Sequence, residues 1–240
     1  MQSLKRITIS LICMFIFTIS YNYNQNDVKY PKEISSNYKL DNKYLEIDTT
    51  PNIDYMYGWD NPRVNCYKGV EIPNTAKIDV SGFTLPINGK VTSEYGYRSQ
   101  FGRMHYGIDL DLNTGDTIRA AFEGIVRIVN CDTFGYGKYI VLRHNNGVET
   151  VYAHLSKYLV NREQKIQSGQ PIGLGGNTGR GTNPHLHFEI RYLGLALNPS
   201  NIVDFESGKT WNKIYAFDKK NYKRKNKTNK KERVNPSLFC

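Results

Sequence analysis

Five histidines carry the chemical signal of this 240-residue chain: His105, His144, His154, His185 and His187. His185-Leu186-His187 runs on into Phe188-Glu189-Ile190-Arg191. Side chains of a strand alternate between faces, so an extended segment points His185 and His187 one way and Leu186, Phe188 and Ile190 the other. Such a pair suits a metal or catalytic site, and equally a pair of satisfied structural histidines. His105-Tyr-Gly-Ile-Asp109 offers a further imidazole and a carboxylate. Gly107 and the Ile-Asp-Leu-Asp-Leu alternation after it favour a strand over a helix, and period two again puts His105 and Asp109 on one face. Asp111 shares that face and competes with Asp109. Two imidazoles and one carboxylate form a sound zinc set with a fourth position left for water, as catalysis needs. His154 closes the run Tyr152-Ala153-His154-Leu155-Ser156. His144 precedes Asn145-Asn146-Gly147 and reads as a structural hairpin residue.

Short β-branched runs separated by glycine turns must position these groups. The expected strands are Phe83–Pro86, Gly89–Ser93, Gly107–Leu112, Thr117–Ala120, Gly124–Cys131, Lys138–Arg143, Glu149–Leu155, Pro171–Leu174 and His187–Tyr192. Asn146-Gly147 between two of them is a hairpin signal, since both residues tolerate positive φ. No helix of ten residues or more is expected here. The fold class is all-β, with antiparallel sheets.

Residues 1–20 read as a signal peptide or an uncleaved anchor. Lys5 and Arg6 precede an apolar stretch from Ile7 to Ser20, shorter than the roughly 20 residues of a membrane span. Cys13 lies inside that stretch and follows Ile12, which argues against lipidation. Residues 21–80 read as an irregular lead-in broken by Pro31, Pro51, Pro62 and Pro73, with Trp59–Tyr67 as a docking stretch. Residues 81–205 form the folded domain, and 206–240 a basic, flexible tail. The net charge of +10 is uneven: nine Lys or Arg and two acids fall in 218–240. Such a block suits contact with anionic wall or membrane surfaces. Its only aromatics are Tyr222 and Phe239, so no nucleic acid is expected as partner. Cys66, Cys131 and Cys240 form no CxxC pair. Cys66 and Cys131 are either bridged or free.

Several segments together resemble the lysostaphin-type (LytM-like) zinc metallopeptidases of bacterial cell walls. They are Thr92-Ser93-Glu94-Tyr95-Gly96-Tyr97-Arg98, His105-x-Gly107-x-Asp109, Gly135-Tyr136-Gly137, Tyr152-Ala153-His154-Leu155-Ser156, Gly169-Gln170-x-Ile172-Gly173, Gly176-Asn177-Thr178-Gly179 and Pro184-His185-Leu186-His187-Phe188-Glu189. The resemblance covers residues 81–205. It implies one zinc ion per chain held by His105, Asp109 and His187, with His154 and His185 as catalytic histidines beside the metal-bound water. It also implies an antiparallel sheet groove with zinc on its floor, export to the envelope, and peptidoglycan peptides as substrate. Tyr95 and Tyr97 are candidates to line that groove. Asn177 and Asn183 lie in loops where they would touch substrate or fix the loop. Some relatives of this kind have lost their ligands and activate other wall hydrolases. A non-hydrolytic zinc-containing module is therefore the competing reading, and the complete set of five polar groups favours an enzyme.

Overall fold

Period-two patterning is realised almost throughout a computed structural model that describes residues 55–181 and 183–223. The expected signal peptide with Cys13, most of the lead-in, and the end of the tail with Phe239 and Cys240 lie outside the described residues. Among the described residues seventeen strands follow in chain order. The first six are β1 (Thr75–Asp79), β2 (Val91–Ser93), β3 (Gly96–Arg98), β4 (Arg103–His105), β5 (Ile108–Asp111) and β6 (Thr117–Arg119). The long central strands are β7 (Gly124–Asp132), β8 (Gly137–Arg143) and β9 (Val148–Leu155). Then come β10 (Lys157–Tyr158), β11 (Lys165–Ile166), β12 (Pro171–Leu174), β13 (His185–Tyr192) and β14 (Leu195–Leu197). The chain closes with β15 (Val203–Asp204), β16 (Lys209–Thr210) and β17 (Ile214–Asp218). Among the described residues helix is confined to two 3₁₀ turns, Ser99–Phe101 and Pro199–Asn201, and a turn at 219–223.

The main sheet has the order β11-β7-β8-β9-β13-β5-β2, all antiparallel, with β14 beside β13. One face packs on the core: Ile108 and Leu110 of β5, Leu186, Phe188 and Ile190 of β13, and Ile140 and Leu142 of β8 are fully buried there. Burial of each such side chain contributes roughly 1.5–3 kcal/mol. The opposite face carries His187, Glu189 and Arg191. Beside them lies a smaller cluster of Ile128, Tyr139, Val141, Val151 and Ala153, against which Val64 and Tyr136 pack.

Three expectations are corrected. Phe83–Pro86 is irregular: Pro86 accepts from Arg119 N–H at 2.9 Å but has no N–H of its own to extend a ladder. The HxH strand starts at His185, two residues earlier than expected. The folded part also reaches past 81–205 at both ends, because β1 pairs along its whole length with β17, Thr75 opposite Asp218 and Asp79 opposite Ile214. Residues 209–210 and 214–218 are therefore strand, not tail. Cys66 is buried and Cys131 exposed, and both are free.

Residues 55–67 dock on the sheet through an ionic cluster. Glu149, fully buried, accepts from Arg127 Nε at 2.6 Å and from Arg143 Nε at 2.8 Å. The excess positive charge is met by lead-in carbonyls. Arg127 donates to Asn61 O and Val64 O at 3.0 and 2.9 Å, and Arg143 to Tyr55 O and Tyr57 O at 2.5 and 3.0 Å. The Arg143 guanidinium also lies 5.5 Å from the Trp59 ring and 5.2 Å from that of Tyr67. Removing one partner of a buried ionic group strands the others. Glu149→Ala is expected to lower stability by roughly 3–5 kcal/mol, read as a shifted midpoint in chemical denaturation.

His144 keeps the structural role its hairpin position implies. Its Nδ1 donates to Glu123 O at 2.7 Å, and its Nε2 lies 2.8 Å from the Thr150 hydroxyl. Burial holds its pKa down, from 6.5 to about 4. The unfolded chain takes up a proton that the folded one refuses between those values. This contribution to stability is therefore intact above about pH 6.5 and lost as pH falls towards 4. His144→Gln is expected to flatten the stability–pH slope across that window by roughly 3 kcal/mol, measured by denaturant titration at stepped pH.

Candidate metal centre and the residues that support it

Strand register brings the proposed ligands together. β5 and β13 pair with Asp109 opposite His187 and Asp111 opposite His185. Gly107, just before β5, passes so close to β13 that a Cβ there would stand 2.3 Å from Phe188 O. His105 enters from the end of β4, paired with Gly96 of β3. The outcome is a buried triangle: His105 Nε2, Asp109 Oδ1 and His187 Nδ1 lie 2.9–3.0 Å from one another. Among the described residues this is the group of His, Cys, Asp or Glu that could hold a metal ion. Asp111 is exposed and stands outside it, so of the two aspartates it is Asp109 that is placed to ligate.

The remaining ring nitrogens fix the tautomers. His105 Nδ1 lies 2.7 Å from Glu94 O, which can only accept, so Nδ1 carries the proton and Nε2 presents a lone pair. Arg98 Nη2 also approaches His105 Nδ1, at 2.8 Å, but cannot accept; its bonds are to Asp109 Oδ2 at 2.6 Å and Ser93 Oγ at 2.5 Å. His187 Nε2 donates to Glu189 Oε1 at 3.0 Å and leaves Nδ1 free to ligate. Glu189 is held in turn by the Tyr136 hydroxyl at 2.9 Å and Arg191 Nε at 2.5 Å. Three lone-pair atoms this close repel unless a proton or a cation lies among them. Two imidazoles and a carboxylate, each backed by an outer hydrogen bond, match a zinc site chemically.

Charges follow the same logic. Burial works against ionised Asp109, but its polar contacts with the His105 and His187 rings hold its carboxyl far below the usual carboxylate range. Burial would also raise Glu189; Arg191, then His187, bring it down to about 2. Burial would lower His187, yet its hydrogen bonds to Asp109 and Glu189 lift it to about 9. A cation must displace that proton, so metal uptake is coupled to pH.

His154 and His185 flank the triangle without joining it. His154 Nδ1 donates to Thr178 O at 2.7 Å, and His185 Nδ1 to Asn183 O at 2.7 Å. Each thereby keeps Nε2 available, and His185 Nε2 stands 3.7 Å from Asp109 Oδ1. The two rings are 4.6 Å apart, and His154 is 5.9 Å from His187. His154 adopts φ 63°, a left-handed conformation uncommon for a residue with a Cβ. Its N–H donates to Tyr136 O at 2.8 Å, which helps impose it. Burial lowers its pKa to about 4, leaving a neutral imidazole at neutral pH. The Gly176–Gly179 loop is pinned beside it: Thr178 Oγ1 accepts from Lys138 N–H at 2.9 Å and donates to Leu155 O at 2.7 Å. Gly137, at φ 61°, leaves no room for a Cβ against Thr178.

The substrate-lining candidates fare differently. Tyr95 donates its hydroxyl to Ala196 O at 3.0 Å and packs against the core, so it does not offer that hydroxyl to the metal face. Tyr97 is half-buried on β3 opposite Met104. Asn183 serves through its backbone carbonyl, which fixes His185, while its side chain is exposed. Asn177 is exposed, with its side-chain carbonyl crowding Gly181.

Residues 103–199 match the model of Peptidase family M23. The chain carries a peptidase domain of that family. Three curated relatives show how it is used elsewhere. The chain is 39% identical over 118 residues to the DD-carboxypeptidase/endopeptidase Mpg of Neisseria meningitidis, covering 48% of this chain and 27% of that protein. It is 42% identical over 94 residues to the peptidoglycan DD-endopeptidase ShyA of Vibrio cholerae, covering 39% and 22%. It is 37% identical over 120 residues to the murein hydrolase activator NlpD of Escherichia coli, covering 50% and 31%. The chain thus spans less than a third of the length of each.

Outside the motif histidines, the candidate site is braced by Arg98, Tyr136, Glu189 and Arg191, to which sequence reading assigned no role. Period two from His187 leads directly to Glu189 and Arg191, and their charge on a buried face was the available signal. Losing an outer partner of a ligating histidine typically costs 10- to 100-fold in metal affinity. Glu189→Gln is expected to weaken zinc binding by about that factor, measured by competition with a chromophoric chelator.

Proposed function

We propose that the chain is an exported, zinc-dependent endopeptidase that hydrolyses peptide bonds in peptidoglycan stem or cross-bridge peptides. The observation that carries this reading is the placement of His154 and His185. Both keep Nδ1 on a backbone carbonyl and present Nε2 beside the His105–Asp109–His187 triangle. When bound there, zinc would polarise the scissile carbonyl and bring the pKa of a coordinated water down towards about 7. As a lone pair, a histidine Nε2 accepts the water proton. Once protonated, it donates to the oxyanion or the leaving amine. Glu94 O and Glu189 keep the two ligating imidazoles in the tautomers that ligation needs. Arg98 orients Asp109 through the oxygen that faces away from the triangle.

The competing reading is a zinc-containing module that binds wall peptides and activates a separate hydrolase; the NlpD relative is named as a murein hydrolase activator. The intact pair of flanking histidines favours hydrolysis. Envelope location agrees with relatives named for peptidoglycan, and the basic tail suits an anionic wall or membrane surface. The purified chain is expected to release new amino groups from murein, and a chelator to stop it. His187→Ala should lose metal and activity together. His154→Ala and His185→Ala should lose roughly 10²- to 10⁴-fold in rate with metal retained. Full activity in His187→Ala sinks the ligand assignment. Zinc retention by the wild type without amino-group release favours the activator.

A further inference from the structure

Beyond the peptidase motifs, the C-terminal segment builds a cavity of about 260 Å³ against the domain. Tyr215, Asp218 and Tyr222 come from β17 and the turn that follows it. Tyr95, Asn198 and Asn201 come from the domain side. The segment that supplies the first group lies past residue 199, where the family match ends.

The lining selects a ligand by chemistry. Among the described residues its lining has no Lys or Arg and one charged side chain, the acidic Asp218, which does not favour an anionic ligand. Three tyrosine rings supply apolar faces. Tyr95 has already committed its hydroxyl to Ala196 O, so its ring is what it has left to offer. Around the rings stand amides. The Asn201 side chain is exposed and makes no hydrogen bond among the described residues. Asn198 Oδ1 accepts from Ser200 N–H at 3.0 Å, which leaves its amide N–H groups to donate. Rings for an apolar C–H face, amides and a carboxylate for hydroxyls, and no basic group together describe a neutral sugar. The volume lies just below the roughly 300–1,000 Å³ of drug-sized ligand sites, as suits one ring.

Consecutive residues serve the metal centre and the cavity. Glu94 O holds His105 Nδ1 at 2.7 Å, and the next side chain, Tyr95, lines the cavity. We propose that the cavity is a saccharide subsite for an N-acetylated hexosamine of the glycan strand, which anchors the sugar whose peptide enters the metal centre. This deepens the murein reading and rests on it for the ligand. Binding both ends of one polymer raises the effective concentration of the peptide at the metal.

The test titrates the full chain with the β-1,4-linked N-acetylglucosamine tetramer, and separately with a sugar-free stem peptide, by calorimetry and by chemical-shift mapping. The tetramer should bind saturably, shift residues 215–222, and bind His187→Ala as well as wild type. Asn201→Ala, at an exposed position, and Tyr222→Ala should each weaken it about tenfold or more. Absence of saturable tetramer binding, equal binding by both variants, or occupation of the cavity by the sugar-free peptide instead would overturn the proposal. Murein cleavage that persists alongside any of these leaves the peptidase reading standing. A catalytically dead chain that still binds the tetramer separates the two the other way.

Discussion

The pairing of β13 with β5 is the constraint on which the rest of the molecule depends. It sets His187 opposite Asp109 and, one step either side, Leu186 opposite Leu110 and Phe188 opposite Ile108. Because side chains alternate, a slip of one residue would exchange the faces. His187, Glu189 and Arg191 would turn into an apolar core, and Leu186, Phe188 and Ile190 towards solvent. The hydrophobic face therefore holds the polar face in register. β9 locks β13 from its other side over six paired positions, His187 opposite Ala153 to Tyr192 opposite Val148. Gly107 permits the close approach at the point where the chain turns from His105 to Asp109.

That register places many charges on one sheet face, and each must be compensated. At the metal end two carboxylates, Asp109 and Glu189, are matched by Arg98, Arg191 and the histidines. At the far end two arginines share Glu149, and the surplus charge is absorbed by backbone carbonyls of residues 55–64. Buried ionic groups of this kind add little net stability but are costly to leave unpartnered. The lead-in is thus part of the electrostatic balance of the sheet and not merely a connection to it.

This division explains what could be read in the sequence. The strands and the shared faces of His185/His187 and His105/Asp109 follow from period two, which survives wherever one face of a strand is apolar. The choice of Asp109 over Asp111 was not available from parity, since both lie on one face. It took the bend at Gly107 and the exposed end of β5 to separate them. The docking of Trp59 and Tyr67 was legible as buried aromatics. Their arginine partners were not, because the contacts of Arg127 and Arg143 with residues 55–66 cross more than 60 residues of sequence. β17 was hidden for a related reason. Its sequence, Ile-Tyr-Ala-Phe-Asp, adjoins a lysine-rich run, and only its partner β1, far away in sequence, makes it a strand.

The two kinds of histidine are held by two kinds of support, and the difference bears on their roles. The proposed ligands sit on or beside paired strands, and the outer nitrogens of the two histidines rest on a carboxylate and a backbone carbonyl, so their positions are set by sheet geometry. His154 and His185 lean on loop carbonyls, of Thr178 and Asn183. His154 also carries φ 63°, a conformation that costs of order 1–3 kcal/mol and persists only when its surroundings over-determine it. They do so here: Tyr136 O takes its N–H, Thr178 O takes its Nδ1–H, and Thr178 is itself clamped between Lys138 and Leu155. The imposed conformation aims the imidazole across the end of β9 towards His185 and the ligand triangle, the placement that the proposed role in proton transfer requires.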